Sequence, residues 1–84
     1  MKIVLNKDYG GFGYGVAFEF EDFVRGFSND RTNPELVAFV EEHPELCDDL
    51  EVVEIPDEAT DWEINEYDGW ETVTYVVDGK IYHA

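Results

Sequence analysis

Between Glu41 and Glu71 the chain carries fourteen carboxylates and not one Lys or Arg. They are Glu41, Glu42, Glu45, Asp48, Asp49, Glu51, Glu54, Asp57, Glu58, Asp61, Glu63, Glu66, Asp68 and Glu71. Self-repulsion on this scale works against any compact state. A fold built from this chain has to spread these groups over the surfaces of several elements, and the field they create then asks for an explanation.

The balance of the whole chain deepens the constraint: 21 acids against 5 bases in 84 residues give a formal net charge of -16. Direct binding of nucleic acid is excluded as an expectation, because phosphates are neutralised by Lys and Arg, and only Lys2, Lys7, Arg25, Arg31 and Lys80 are available. Anionic membrane surfaces are unsuitable partners for the same reason. High charge with little apolar surface would mean disorder, yet 44% hydrophobic residues, including thirteen aromatics, supply a core. The expectation is a single domain over residues 1–84 with one modest core.

Cys47 is the sole cysteine, so no internal disulfide forms, and its acidic neighbours disfavour a reactive thiolate. The start, Met1 to Gly11, does not read as a secretory leader, and no apolar run is long enough to span a membrane. A cytoplasmic protein is expected.

Local signals give an α+β fold with a small antiparallel sheet of four or five strands and one or two helices. Lys2-Ile3-Val4-Leu5-Asn6 reads as a strand followed by a glycine loop, Lys7 to Gly15, whose aromatic rings pack back on the domain. Val16, Phe18 and Phe20 alternate like a strand, whereas Phe20, Phe23, Val24 and Phe27 recur at helical spacing. A strand passing into a helix near Asp22 is expected. Asn33-Pro34 marks an N-cap and first helical turn, with Leu36, Val37, Phe39 and Val40 as the apolar face and Pro44 as the stop. Glu51 to Pro56 reads as a strand. Asp68-Gly69 and Asp78-Gly79 then join Trp62–Tyr67, Trp70–Val77 and Lys80–His83 into an antiparallel meander. Alternation makes Trp62, on the face of Ile64, the core tryptophan, while Trp70 shares its face with Thr72, Thr74 and Val76.

Chemistry-bearing motifs are few. Gly11-Phe12-Gly13-Tyr14-Gly15 is not G-x-G-x-x-G, and no Gly-Lys-Ser/Thr follows it. An EF-hand loop placed with Gly69 at its sixth position puts Ile64 and Tyr75 where acids are required. His43, His83 and Cys47 do not form a zinc pattern, and Ser28 is the lone serine. No metal, cofactor or catalytic residue is assigned, and no enzymatic activity is expected. An acidic run also has bland readings, a solubilising face or adaptation to high salt, although solubility alone is served by mixed signs.

Three stretches resemble a family of small uncharacterised proteins of bacteriophages and prophages. They are Asn6-Lys7-Asp8-Tyr9-Gly10-Gly11-Phe12-Gly13, then Asp30-Arg31-Thr32-Asn33-Pro34-Glu35-Leu36-Val37 with Val40-Glu41-Glu42, and Val53-Glu54-Ile55-Pro56-Asp57 leading through Trp62 and Ile64 to Glu66-Tyr67-Asp68-Gly69. The resemblance implies a phage origin and carries no biochemical activity with it. Such members commonly continue with a helix after the glycine loop, from which Val16–Phe20 departs, as Thr74 to Ala84 does from their usual ending. In size, charge and context the chain is also similar in type to DNA-mimic inhibitors such as anti-CRISPR and anti-restriction proteins.

These readings converge on a phage-encoded acidic DNA mimic that blocks the nucleic-acid channel of a host defence nuclease, a Cas9-type enzyme being one target. The fourteen carboxylates would carry the charge, with Trp70, Tyr67 or the loop aromatics adding contact area. The partner would be a basic protein surface, and the inhibitor a monomer or a homodimer. The alternative is a phage accessory or structural module that binds another protein through its aromatic loop and is acidic only for solubility.

Overall fold

The two Asp-Gly pairs organise the C-terminal half. In a computed structural model, which describes residues 1–13 and 16–84, both members of each pair take positive φ: Asp68 52°, Gly69 94°, Asp78 51° and Gly79 76°. That is the conformation of a two-residue turn whose twist matches antiparallel strands. Three strands follow, β3 (Asp61–Tyr67), β4 (Trp70–Val77) and β5 (Lys80–His83), in the order β3-β4-β5. The first turn pairs Tyr67 with Trp70 and so fixes Ile64 opposite Val73 and Trp62 opposite Tyr75.

The N-terminal strand β1 (Lys2–Asn6) pairs antiparallel with β2 (Leu50–Glu54) in a separate two-stranded ribbon. β1 is buried on both faces, as its uninterrupted apolar run Ile3-Val4-Leu5 demands. Ile3 and Leu5 join Ile55 and Val73 in one cluster, against which Trp62, Ile64 and Tyr75 pack. Val4 points the other way, into a cluster with Val16, Val24, Leu36, Val37, Val40, Cys47 and Leu50. The ribbon therefore lies between a helical layer and the meander. Together these elements form an α+β fold with five antiparallel strands in two small sheets.

The helical layer departs from expectation in one place. Val16 makes only an isolated bridge to Cys47, and Phe18–Phe20 is a 3₁₀ turn that runs into α1 (Glu21–Arg25). The expected strand over Val16–Phe20 does not form, because the helical spacing of Phe20, Phe23 and Phe27 offers more. Phe23 packs against Phe27 and Phe39 at ring-centroid distances of 5.3 and 5.1 Å, and Phe20 meets Phe39 at 5.2 Å. Phe18, whose burial the strand reading required, is 90% exposed.

α2 (Pro34–Glu42) begins as its sequence dictates. The Asn33 side chain accepts the Glu35 N–H at 2.8 Å, a cap worth about 1 kcal/mol, and Pro34 occupies the first turn. The helix buries Leu36, Val37 and Val40 and ends at Glu42, two residues before Pro44. A second 3₁₀ turn, Pro44–Leu46, returns the chain to β2.

β1 also has an outer edge whose backbone groups need partners. Arg31 covers it as a strand would: its carbonyl accepts the Val4 N–H at 2.9 Å, and its Nη1 donates to the Val4 carbonyl at 3.3 Å. The Asn6 N–H donates to Glu71 Oε1 at 2.7 Å, and Glu71 receives Arg31 Nη1 and Nη2 at 2.5 and 2.9 Å. This buried node ties the helical layer, β1 and β4 together.

Candidate partner-binding surface

The carboxylates from Glu41 to Glu71 separate into one structural acid and a surface population. Glu71 is 6% exposed and committed to Arg31 and Asn6, so its expected place on the partner-binding surface is corrected. Opposite Glu66 in register, it points to the inner face of β4 with Val73 and Tyr75. A charge there survives only because a bidentate guanidinium and a backbone N–H satisfy it. Asp49 is half-buried, and the other twelve are exposed.

Counter-charge is nearly absent. Among the described residues only Glu41 of this surface group lies within salt-bridge distance of a Lys or Arg side chain, Lys2 at 2.9 Å. Asp57 pairs with the Met1 ammonium at 2.7 Å, which holds its carboxyl below the usual range, and Glu45 faces His43 at 3.6 Å. Arg31 is spent on Glu71 and Arg25 pairs with Glu21 on its own helix.

The acids also sit where stability alone would not put them. The last turn of α2 carries Glu41 and Glu42 with no basic residue, at the negative end of the helix dipole, a cost of about 0.3–1 kcal/mol for each exposed charge. Asp48 and Asp49 share the turn before β2, and the Lys7 N–H donates to the Asp49 carbonyl at 2.7 Å, bringing that turn beside the end of β1. Partial burial, then the neighbouring charges of Asp8 and Asp48 and a hydrogen bond with Asp8, push the Asp49 carboxyl up. Along β3, Asp61 and Glu63 share the outer face with Asn65 and Tyr67, about 6.6 Å apart by strand geometry. Two acids have local structural work as well: Glu66 Oε1 accepts the Gly69 N–H at 2.6 Å, and Asp61 Oδ1 accepts the Trp62 N–H at 2.9 Å.

One end of this surface is aromatic. The three stretches singled out in the sequence meet there: Arg31 lies 3.7 Å over the Phe12 ring, and Asn6 Nδ2 donates to the carbonyls of Asp8 and Gly69 at 2.7 Å each. A Cβ on Gly69 would come within 2.8 Å of the Gly11 nitrogen and the Tyr9 carbonyl group, so the glycine loop rests directly on the β3–β4 turn. Phe12 packs back as expected, but Tyr9 does not. Its ring meets Trp70 at 5.5 Å and stays 65% exposed beside Trp70 (39%) and Tyr67 (75%). Lys7 Nζ lies 5.6 Å from the centre of the Trp70 ring. Tyr14, the remaining loop aromatic, lies outside the described residues.

Trp62 is half-buried against the Ile3–Val73 cluster, on the face its alternation indicated. Cys47 is buried, and desolvation with the charges of Glu45 and Asp48 raises its thiol to about 11. Among the described residues, no three His, Cys, Asp or Glu side chains converge to hold a metal ion, and no helix is long and apolar enough to cross a membrane. No protein-family model matches the chain, and no curated protein or solved structure matches it either.

Proposed function

We propose that this protein is a phage-encoded acidic mimic of DNA that blocks the nucleic-acid channel of a basic host protein, with a defence nuclease as its target in the host cytoplasm. The observation that carries the reading is the excess of acid on one surface: twelve exposed carboxylates between Glu41 and Asp68, of which, among the described residues, Glu41 meets Lys2, Asp57 the Met1 ammonium and Glu45 the His43 ring. A face kept for solubility is served by both signs. Here the acids are drawn from α2, the following 3₁₀ turn, β2, β3 and the turns between them, which is how a compact protein gathers charge to rival a duplex carrying one phosphate per about 1.7 Å of axis. The last turn of α2 supports the same reading, since it carries two acids and no base of its own, and Lys2 from β1 meets only Glu41.

The mechanism is competition. Arginines that read or hold DNA accept a carboxylate in the same bidentate geometry as a phosphate, and a Cas9-type enzyme uses such arginines to read its short flanking motif. The acidic field speeds encounter, and the association slows as salt rises.

The test is a variant with Asp48, Glu51, Glu58, Asp61 and Glu63 changed together to the corresponding amides, compared with wild type for displacement of duplex DNA from such a nuclease. Loss of displacement by a protein that still folds supports mimicry. Displacement unchanged by the variant removes its basis.

A second reading has its own observation, the exposed Tyr9, Tyr67 and Trp70. An accessory module docking through these rings would bind its partner with little dependence on salt and would lose binding on their replacement.

A further inference from the structure

We propose that Tyr9, Trp70 and Tyr67 form an arginine-receiving platform at the loop end of the acidic surface, seating a guanidinium of the basic partner on the exposed indole and phenol rings. This deepens the mimic reading and rests on it. The Tyr9 and Trp70 rings are held before any partner arrives, and Tyr67 stands exposed on the strand position opposite Trp70. Tyr67 and Trp70 are opposite one another in the β3–β4 register, on the outer face, and Tyr9 is fixed against Trp70 by the contact of its own backbone with Gly69. The carbonyl before Tyr9, that of Asp8, and the Gly69 carbonyl are bridged by the same buried Asn6 amide, so loop and turn move together. Large aromatic residues on a surface, locked in place and at low entropic cost, are the usual anchors of an interface.

Charge selects the occupant. Asp8 and Asp68 lie in the same loop and turn as the rings, in a chain of net charge -16, and this negative surround favours a cation over an anionic or neutral apolar partner. The chain already uses this face in that way, since Lys7 Nζ stands 5.6 Å over the Trp70 ring. Guanidinium suits the site better than ammonium, because it stacks flat on a ring while its N–H groups reach carboxylates at the rim. Arg31 over Phe12 at 3.7 Å, a few residues away, is the internal example of that packing.

The probes are nona-arginine and nona-lysine, titrated into the full chain by calorimetry at low ionic strength, with Trp fluorescence as a second readout. The variant Tyr9→Leu/Trp70→Leu keeps apolar bulk and removes the ring faces. The expected result is nona-arginine binding about fivefold or more tighter than nona-lysine, with the double variant losing that preference because nona-arginine weakens more than nona-lysine. Lys7→Met, which vacates the ring face, should tighten nona-arginine binding. If both peptides bind and the arginine preference survives the double variant, the platform is overturned while the acidic surface stands. If neither peptide binds, the acidic-surface reading fails and the platform with it.

Discussion

Changing Glu71 to Gln should cost this protein far more than changing any of its exposed acids. Its carboxylate receives three hydrogen bonds, from the Asn6 N–H at 2.7 Å and from Arg31 Nη1 and Nη2 at 2.5 and 2.9 Å. The amide keeps one oxygen for two of these and turns an NH₂ group toward the third donor. It also leaves the Arg31 side chain, 9% exposed, with no counter-charge at that position. Removing one partner of a buried pair costs about 3–5 kcal/mol, against a total of roughly 4–13 kcal/mol for a chain of this length. Thermal unfolding followed by circular dichroism should therefore shift down by roughly 12–40 °C. Glu63→Gln, on the outer face of β3, should stay within about 0.5 kcal/mol of wild type, because it removes charge from a self-repelling surface. The pair Arg31→Met/Glu71→Met should recover part of the loss, giving a positive coupling in a double-mutant cycle. Equal, small effects of Glu71→Gln and Glu63→Gln would refute the argument, since the node would then contribute no more than surface charge.

Three further outcomes follow from the same geometry. Gly69→Ala should destabilise by more than about 2 kcal/mol, and Gly79→Ala by only about 1, measured by urea unfolding; both take positive φ, but only at Gly69 would the new Cβ strike backbone, at 2.8 Å. Cys47, buried and raised to about 11, should resist alkylation in the native protein near neutral pH and react promptly once the chain is unfolded. Asp49 should titrate above the ordinary aspartate range by NMR, and Asp8→Asn should bring it down. Because its folded value lies above its unfolded one, its favourable contribution is complete below the unfolded pKa and is lost as pH rises through the raised folded value, so Asp49→Asn should stabilise the neutral-pH protein.

The parts of the fold legible in the sequence were those fixed by neighbours in the chain. Asn33-Pro34 set the start of α2, Pro44 its stop, and the two Asp-Gly turns set the meander. Val16–Phe20 misled because two periodicities overlap there, and the aromatic cluster around Phe39 decided between them from a distance. Glu71 carries a readable signal in the strand register. A two-residue turn at Asp68-Gly69 pairs Tyr67 with Trp70, places Val73 opposite Ile64, and so turns Glu71 inward with Val73. Its partner had none, because Arg31 lies 40 residues away and reaches it only once the helical layer closes over β1. The exposed Tyr9–Trp70 contact is likewise tertiary, made when the glycine loop settles on the β3–β4 turn.

The most direct measurement is capture of partners from lysate of the proposed phage host on the tagged protein at low salt, followed by elution with competing duplex DNA and, separately, with high salt. The account predicts a basic DNA-binding or nuclease subunit released by both. A partner that withstands salt and ignores DNA would contradict it and favour docking through the aromatic loop.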